Sequence, residues 1–260
     1  MAMEAESRHV LRTLRAIELL AAGPSSEAEL AEALEVHPRT VRRLLQRLVE
    51  VGYATEVDGQ PGQFTATLKI VAVAGRVLQR TDLVQLARPF VARLRDDSGE
   101  SAYLTVPAEG GAMHVLREDS GNVISARPRL SELVPYHATA VGKVLLAYGA
   151  VPEPSEPLER CTEFTSAELP DLHRQLEDTR ARGYAVDDRE HDRDQRCVAA
   201  PVRDYAGAVV AALGICAPAF RFTSADVPAV GDLIVRLAAE LSAANGFIGE
   251  AELTGAASAA

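Results

Sequence analysis

In the first eighty residues the apolar positions recur every three or four residues. Val10, Leu14, Ile17 and Leu20 predict a helix from about Ser7 to Ala22, stopped by Gly23-Pro24. Ser26-Glu27-Ala28-Glu29 has the form of a capping box and opens a second helix to about Leu34. After the turn Glu35-Val36-His37, Pro38 stands where a first helical residue tolerates proline, and a third helix runs to about Val51 before Gly52. Residues 53–57 and 63–67 then read as two strands around the turn 58–62. Helix, helix, turn, helix, hairpin is the order of a winged helix-turn-helix.

Residues 68–79 predict a connecting helix, and Leu83, Leu86, Phe90, Val91 and Leu94 form the stripe of another over 82–97. Beyond it the pattern shifts toward alternation. Ala102–Pro107, Ala112–Arg117 and Val123–Arg127 read as strands, 139–148 as a helix, and a helix opened by Thr165 with Glu168 as capping partner closes at Gly183. Cys197–Asp204 and Ala208–Cys216 are strong strands, and Thr223 caps a last helix to about Ala244. Hairpin-connected strands mixed with helices give an α+β domain with an antiparallel sheet.

The chain of 260 residues is long enough for two domains, and its net charge is -10. The acidic excess is confined to the part after Arg80; Met1–Arg80 has ten basic and ten acidic residues. Within that neutral segment Pro38–Arg47 holds four Arg and no acid, a local basic face suited to phosphate. Cys161, Cys197 and Cys216 form neither a disulfide framework nor a zinc pattern, so a reducing cytoplasm is expected. No apolar run approaches the ~20 residues of a membrane span, and a membrane partner is not expected. No cofactor motif, metal site or catalytic set stands out. The small, Ala-rich tail 249–260 is expected to be disordered.

The third predicted helix carries the clearest chemistry. Val41, Leu44, Leu45, Leu48 and Val49 share one face; Arg39, Arg43 and Gln46 project on the other, with Arg42 flanking them. Arg can read guanine and Gln adenine in a major groove, and Arg39 and Thr40 stand at the helix end that meets base edges or phosphate. The 59–62 turn, a wing tip without Arg or Lys, offers only weak contact.

Both halves resemble one family. Ile17-Glu18-Leu19-Leu20, Glu29-Leu30-Ala31, Thr40-Val41-Arg42-Arg43-Leu44-Leu45, Leu48 and Gly52-Tyr53 are similar to the N-terminal pattern of the IclR family of bacterial regulators. Tyr136–Lys143, Gly183-Tyr184-Ala185, Asp187, Arg196–Val202 and Asp204 resemble that family's C-terminal segments. The resemblance spans about residues 8–248 and implies a winged helix-turn-helix over 1–67, a linker helix over 68–80 and a GAF-like, small-molecule-binding domain over 81–248. It further implies homodimers or tetramers on palindromic double-stranded operators, with repression expected over activation. Two departures are visible. Ala66-Thr67-Leu68-Lys69 replaces the usual Leu-Gly after the wing, and Gly214 and Cys216 replace two hydroxyl-bearing positions found in members that bind small keto acids.

For the effector, Thr139, Ala140, Val141 and Gly142 open a helix whose amides favour an anion, and the small side chains allow close approach. Asp187 and Cys197 match the family's pocket positions; Cys197 and Ala199 share one strand face, as do Gly214 and Cys216. A roomy, weakly polar pocket of this kind suits an aromatic or other organic acid better than a two- or three-carbon acid. Against these stand plainer readings. Both cysteines can be small buried hydrophobes, Lys143 an exposed or pairing lysine, His137 a structural hydrogen-bonding group, and Asp187–Asp194 a solvated loop rather than a metal site. The rival functions are a thiol redox sensor or enzyme on a GAF-like domain using Cys197 and Cys216, and a winged helix that docks a protein instead of DNA.

Overall fold

The computed structural model describes residues 2–78, 82–155 and 157–249. The expected disordered tail falls outside the described residues apart from Gly249. The chain divides into two compact units, the first Met1–Thr81 with Ile248–Ala260 and the second Asp82–Phe247.

The first unit contains α1 (Ala2–Ala22), β1 (Ser25–Ser26), α2 (Glu27–Ala33), α3 (Pro38–Glu50), β2 (Ala54–Glu56), β3 (Gln63–Ala66) and α4 (Lys69–Leu78). The capping box forms as expected: Ser26 accepts from the Glu29 amide, and the Glu29 carboxylate accepts from the Ser26 amide at 2.7 Å. His37 caps α3 through Nδ1, ahead of Pro38. The core joins Ala16 and Leu20 of α1, Leu30 and Ala31 of α2, and Val41, Leu44, Leu45 and Leu48 of α3. At roughly 1.5–3 kcal/mol for each buried Leu, this apolar stripe is what orients α3. Val49, expected inward, is 42% exposed. The wing has a third strand that the sequence pattern does not show, because β1 is only two residues long and pairs with β3 at Ser25↔Phe64.

The second unit contains α5 (Leu83–Ser98), β4 (Ser101–Ala108), β5 (Gly111–Glu118), β6 (Leu133–Val134), α6 (Ala140–Ala147), α7 (Leu169–Arg182), β7 (Ala185–Asp188), β8 (Gln195–Arg203), β9 (Val209–Pro218) and α8 (Val227–Ala244). All six strands form one antiparallel sheet in the order β6-β5-β4-β9-β8-β7. Alternation sorts its two faces. Leu104, Val198, Ala200, Leu213 and Ile215 meet α5 and α8. Tyr103, Cys197, Ala199, Ala212 and Cys216 face α6. The fold is α+β, with a helix-turn-helix unit followed by an antiparallel-sheet domain.

Three expected elements differ. Val123–Arg127 is not a strand: Val123 is fully exposed, Ile124 mostly so, and the sheet edge is supplied instead by β6. Thr165 does not open α7, which starts at Leu169 with Pro170 in its first turn, where its missing N–H costs nothing. Thr165 is drawn away because its hydroxyl donates to the Glu190 carbonyl at 2.7 Å. Thr223 lies before α8 and bonds the Asp226 carboxylate through both its amide and its hydroxyl.

Candidate functional site

The exposed side chains of α3 include Arg39, Arg42, Arg43, Gln46 and Arg47, with Thr40 half-buried. His9, His37, Arg39, Thr40, Arg43 and Arg47 line one concave basic surface. His9 and His37 escaped the sequence reading, and Arg47 entered it only as part of the basic run Pro38–Arg47, although Arg39, Arg43 and Arg47 follow one another at intervals of four, which places them along one side of the helix. Arg42 belongs to a different arrangement. Its guanidinium grips the Glu27 carboxylate at 2.9–3.1 Å and ties α3 to the start of α2. Gln46 lies outside the concave surface. The wing turn is held by the Glu56 carboxylate accepting from the Gly62 amide at 2.6 Å, and Gly59 and Gly62 take positive φ there.

The second unit holds a cavity of about 370 Å³ between the sheet and the start of α6. Of the effector-site candidates it brings together Thr139, Ala140, Val141, Asp187, Cys197 and Cys216. Thr139 caps α6, its hydroxyl oxygen accepting from the Gly142 amide at 3.1 Å and its hydroxyl donating to the Pro135 carbonyl. The first intrahelical bond runs from the Lys143 amide to the Thr139 carbonyl, so the amides of Ala140 and Val141 precede the ladder at the cavity wall.

Gly142 and Gly214 do not line the cavity. A Cβ on Gly142 would collide with the Tyr136 carbonyl oxygen, and one on Gly214 would lie 2.8 Å from the Val198 carbonyl oxygen. Both glycines are explained by backbone-to-backbone packing. Ligand approach does not require them.

Tyr103, His114, Arg127, Arg129, Glu132, His191 and Gln195 also line the cavity and were missed. Tyr103 was hidden inside a strand whose inward residues read as core. Arg127 ends the segment that reads as a strand, and Arg129 follows it in a connection without a periodic signal. Tyr103 and His114 meet edge to face with ring centroids 4.8 Å apart, and His114 Nδ1 shares a 2.7 Å hydrogen bond with the Thr105 hydroxyl.

Burial sets the electrostatics. It pushes the His114 imidazole down to about 4 and also lowers His191. The Asp187 carboxyl is pushed up to about 7 by burial, against the opposing pull of the Lys143 ammonium and the amides of Glu190 and His191 that it accepts. The Cys197 thiol is held well above its ordinary value by its hydrogen bond to Cys216 and by burial.

The segment after Gly183 departs from the solvated-loop expectation. Asp187 and Asp188 belong to β7, and Asp187 and Glu190 are buried. Lys143 is 1% exposed and pairs with Glu190 while donating to the Val186 carbonyl at 3.0 Å. This buried pair fastens α6 to the turn after β7, two walls of the cavity. His137 Nε2 bonds the Glu159 carbonyl at 2.8 Å, a structural role.

Comparison with known proteins places these two arrangements. The model of the IclR helix-turn-helix domain matches residues 9–58, and that of the bacterial transcriptional regulator IclR C-terminal domain matches 75–243. The chain belongs to the IclR family. It is 30% identical over 237 residues to the HTH-type transcriptional regulator BhcR of Paracoccus denitrificans, covering 89% of this chain and 85% of that protein. It is 30% identical to the HTH-type transcriptional regulator KdgR of Escherichia coli, covering 84% and 85% of the two chains. Among solved structures, the Agobacterium tumefaciens repressor BlcR shares the fold with a TM-score of 0.74, 24% identity and coverage of 93% and 98%. This IclR-family chain is therefore a DNA-binding transcriptional regulator, and the families it matches are regulators rather than enzymes. No helix among the described residues is long and apolar enough to cross a membrane.

Proposed function

We propose that the protein is a cytoplasmic repressor that reads a palindromic operator as a homodimer or tetramer and is controlled by an organic acid bound in the cavity of its second unit. Its recognition face is the α3 surface of Arg39, Thr40, Arg43 and Gln46, extended by Arg47. Arg42, tied to Glu27, serves mainly to hold α3 in place.

The observation that carries the effector reading is the composition of the cavity. Its wall holds the first-turn amides of α6, where an anion is favoured. Arg127 and Arg129 add positive charge nearby. Opposite stand Asp187, which exchanges its proton near neutral pH, and the weakly polar surface of Tyr103, Cys197 and Cys216. A volume near 370 Å³ lies at the low end of ligand pockets, roughly 300–1,000 Å³. A small aromatic acid fits this combination: the carboxylate at the amides, the ring on the sulfur and tyrosine side. Binding shifts the population between states that do and do not hold the operator.

The test is a gel shift on the promoter beside the gene, combined with a thermal-shift panel of benzoate, phenylacetate, glyoxylate and pyruvate. Operator binding with stabilisation by an aromatic acid is expected. If only glyoxylate or pyruvate stabilises the protein, the aromatic-acid reading is wrong. If no specific DNA is retained, the assignment of the α3 face fails.

A further inference from the structure

Cys197 and Cys216 are directly opposite each other on β8 and β9, both interior strands of the sheet. Their sulfurs lie 2.9 Å apart. The Cys197 thiol donates to Cys216 Sγ, and the Cys216 thiol donates to Gln195 Oε1 at 2.8 Å. Both sulfurs and Gln195 line the cavity. Directly opposed residues of an antiparallel ladder have Cα atoms about 4.5 or 5.5 Å apart. Either spacing lies within the roughly 4.4–6.8 Å that a disulfide spans. The two strands thus already hold the backbone where a cross-link needs it, and side-chain rotation alone can close the remaining sulfur-to-sulfur gap.

We propose that Cys197 and Cys216 are a reversible dithiol–disulfide pair in the cavity floor, closed by a peroxide entering the cavity and reopened by thiols. In the first step one sulfur attacks a peroxide oxygen: the S–O bond forms, the O–O bond breaks, and the thiol proton leaves with the departing oxygen as water or alcohol. In the second step the other sulfur attacks the sulfenic sulfur: the S–S bond forms, the S–O bond breaks, and the second proton leaves with hydroxide as water. The two sulfurs lose two electrons and the peroxide gains them. The bond to Cys216 and burial raise the Cys197 thiol, which slows a first step taken by that sulfur, because the thiolate is the nucleophile. Closure removes the thiol donor to Gln195 and links two strands that form the cavity floor.

The experiment uses the full chain. It is incubated with hydrogen peroxide, alkylated under denaturing conditions and mapped by mass spectrometry, in the wild type and in Cys161→Ser. The expected product is a peptide pair joined through Cys197 and Cys216, lighter by two hydrogens, reversed by dithiothreitol and unaffected by Cys161→Ser. A cross-link closing a 19-residue separation without strain should raise the melting temperature by roughly 5–10 °C. Two free, alkylatable cysteines at 197 and 216 after Cys161 has been oxidised overturn the proposal. So does a lowered melting temperature on cross-linking, which would mean that the sheet does not hold the pair ready. Neither readout depends on a ligand or on DNA, so its outcome is separate from the effector reading.

Discussion

Replacing Lys143 by Met tests whether the cavity walls are held by a buried ion pair. Lys143 is 1% exposed and the Glu190 side chain 7%. In the variant, Glu190 loses its counter-ion and, among the described residues, keeps a 3.4 Å bond from Gln175 Nε2 and a 3.5 Å bond from the Ser166 amide. Removing one partner of a buried pair costs about 3–5 kcal/mol, mostly because a charge is left desolvated. Lys143→Met combined with Glu190→Gln removes the charge as well, leaving the loss of two hydrogen bonds, near ~1 kcal/mol each. The single variant should therefore be less stable than the double by about 2 kcal/mol. Urea unfolding followed by circular dichroism measures both, since the chain has no Trp. At about 2–4 °C per kcal/mol for a domain of this size, the single variant should melt roughly 6–20 °C below wild type. Equal losses in the two variants would refute the reasoning, because Glu190 would then be reaching water once its partner is gone.

Arg39→Ala and Arg43→Ala should each weaken operator binding by about 1–3 kcal/mol if they read bases, or lower the salt slope by about 1 if they meet phosphate. Fluorescence anisotropy across salt concentrations separates the two. Arg42→Ala should cost less DNA affinity than either, because Glu27 already holds that guanidinium. Binding of a carboxylate such as benzoate should weaken about tenfold between pH 6 and pH 8 by calorimetry, as Asp187 loses its proton near pH 7 and repels the anion; a flat profile would remove Asp187 from the binding site. The ligand-free fold should also lose stability as the pH rises from about 4 to about 7, because folding lifts this carboxyl from its usual 3.8 and so favours its protonated form. Gly142→Ala should destabilise the second unit by about 3 kcal/mol or more, seen as a lowered melting temperature, because the new methyl meets the Tyr136 backbone.

How far the sequence speaks depends on how local the cause is. Ser26 and Glu29 are three residues apart, so their reciprocal cap is visible as a motif, and the periodicity of Val41, Leu44, Leu45 and Leu48 turns the α3 arginines outward with no outside information. Alternation likewise puts Cys197 with Ala199, and Gly214 with Cys216, on one face of their strands. The failures are long-range. Val123–Arg127 has strand composition, but β6 supplies the edge of the sheet instead. Asp187 and Glu190 sit in a run of charges that reads as solvated, and only Lys143, far away in the chain, makes burying Glu190 tolerable. Gly142 and Gly214 illustrate an ambiguity of meaning: small residues beside a site resemble room for a ligand, while here the room is filled by neighbouring backbone. Arg127, at the end of that misread strand, and Arg129 beyond it join the cavity through tertiary structure alone.

The pairing of β4 with β9 sets the order of events during synthesis. Tyr103 reaches the Ile215 carbonyl across 112 residues of chain, and Ser101 stands opposite Cys216. When the ribosome has released β4, β5 and β6, the inner edge of β4 has no neighbour, and it stays open until β9 emerges. An exposed strand edge recruits other strands. A transcript truncated before residue 209 should therefore yield an aggregating product rather than a smaller working domain, and the nascent chain is most exposed to chaperones over that interval.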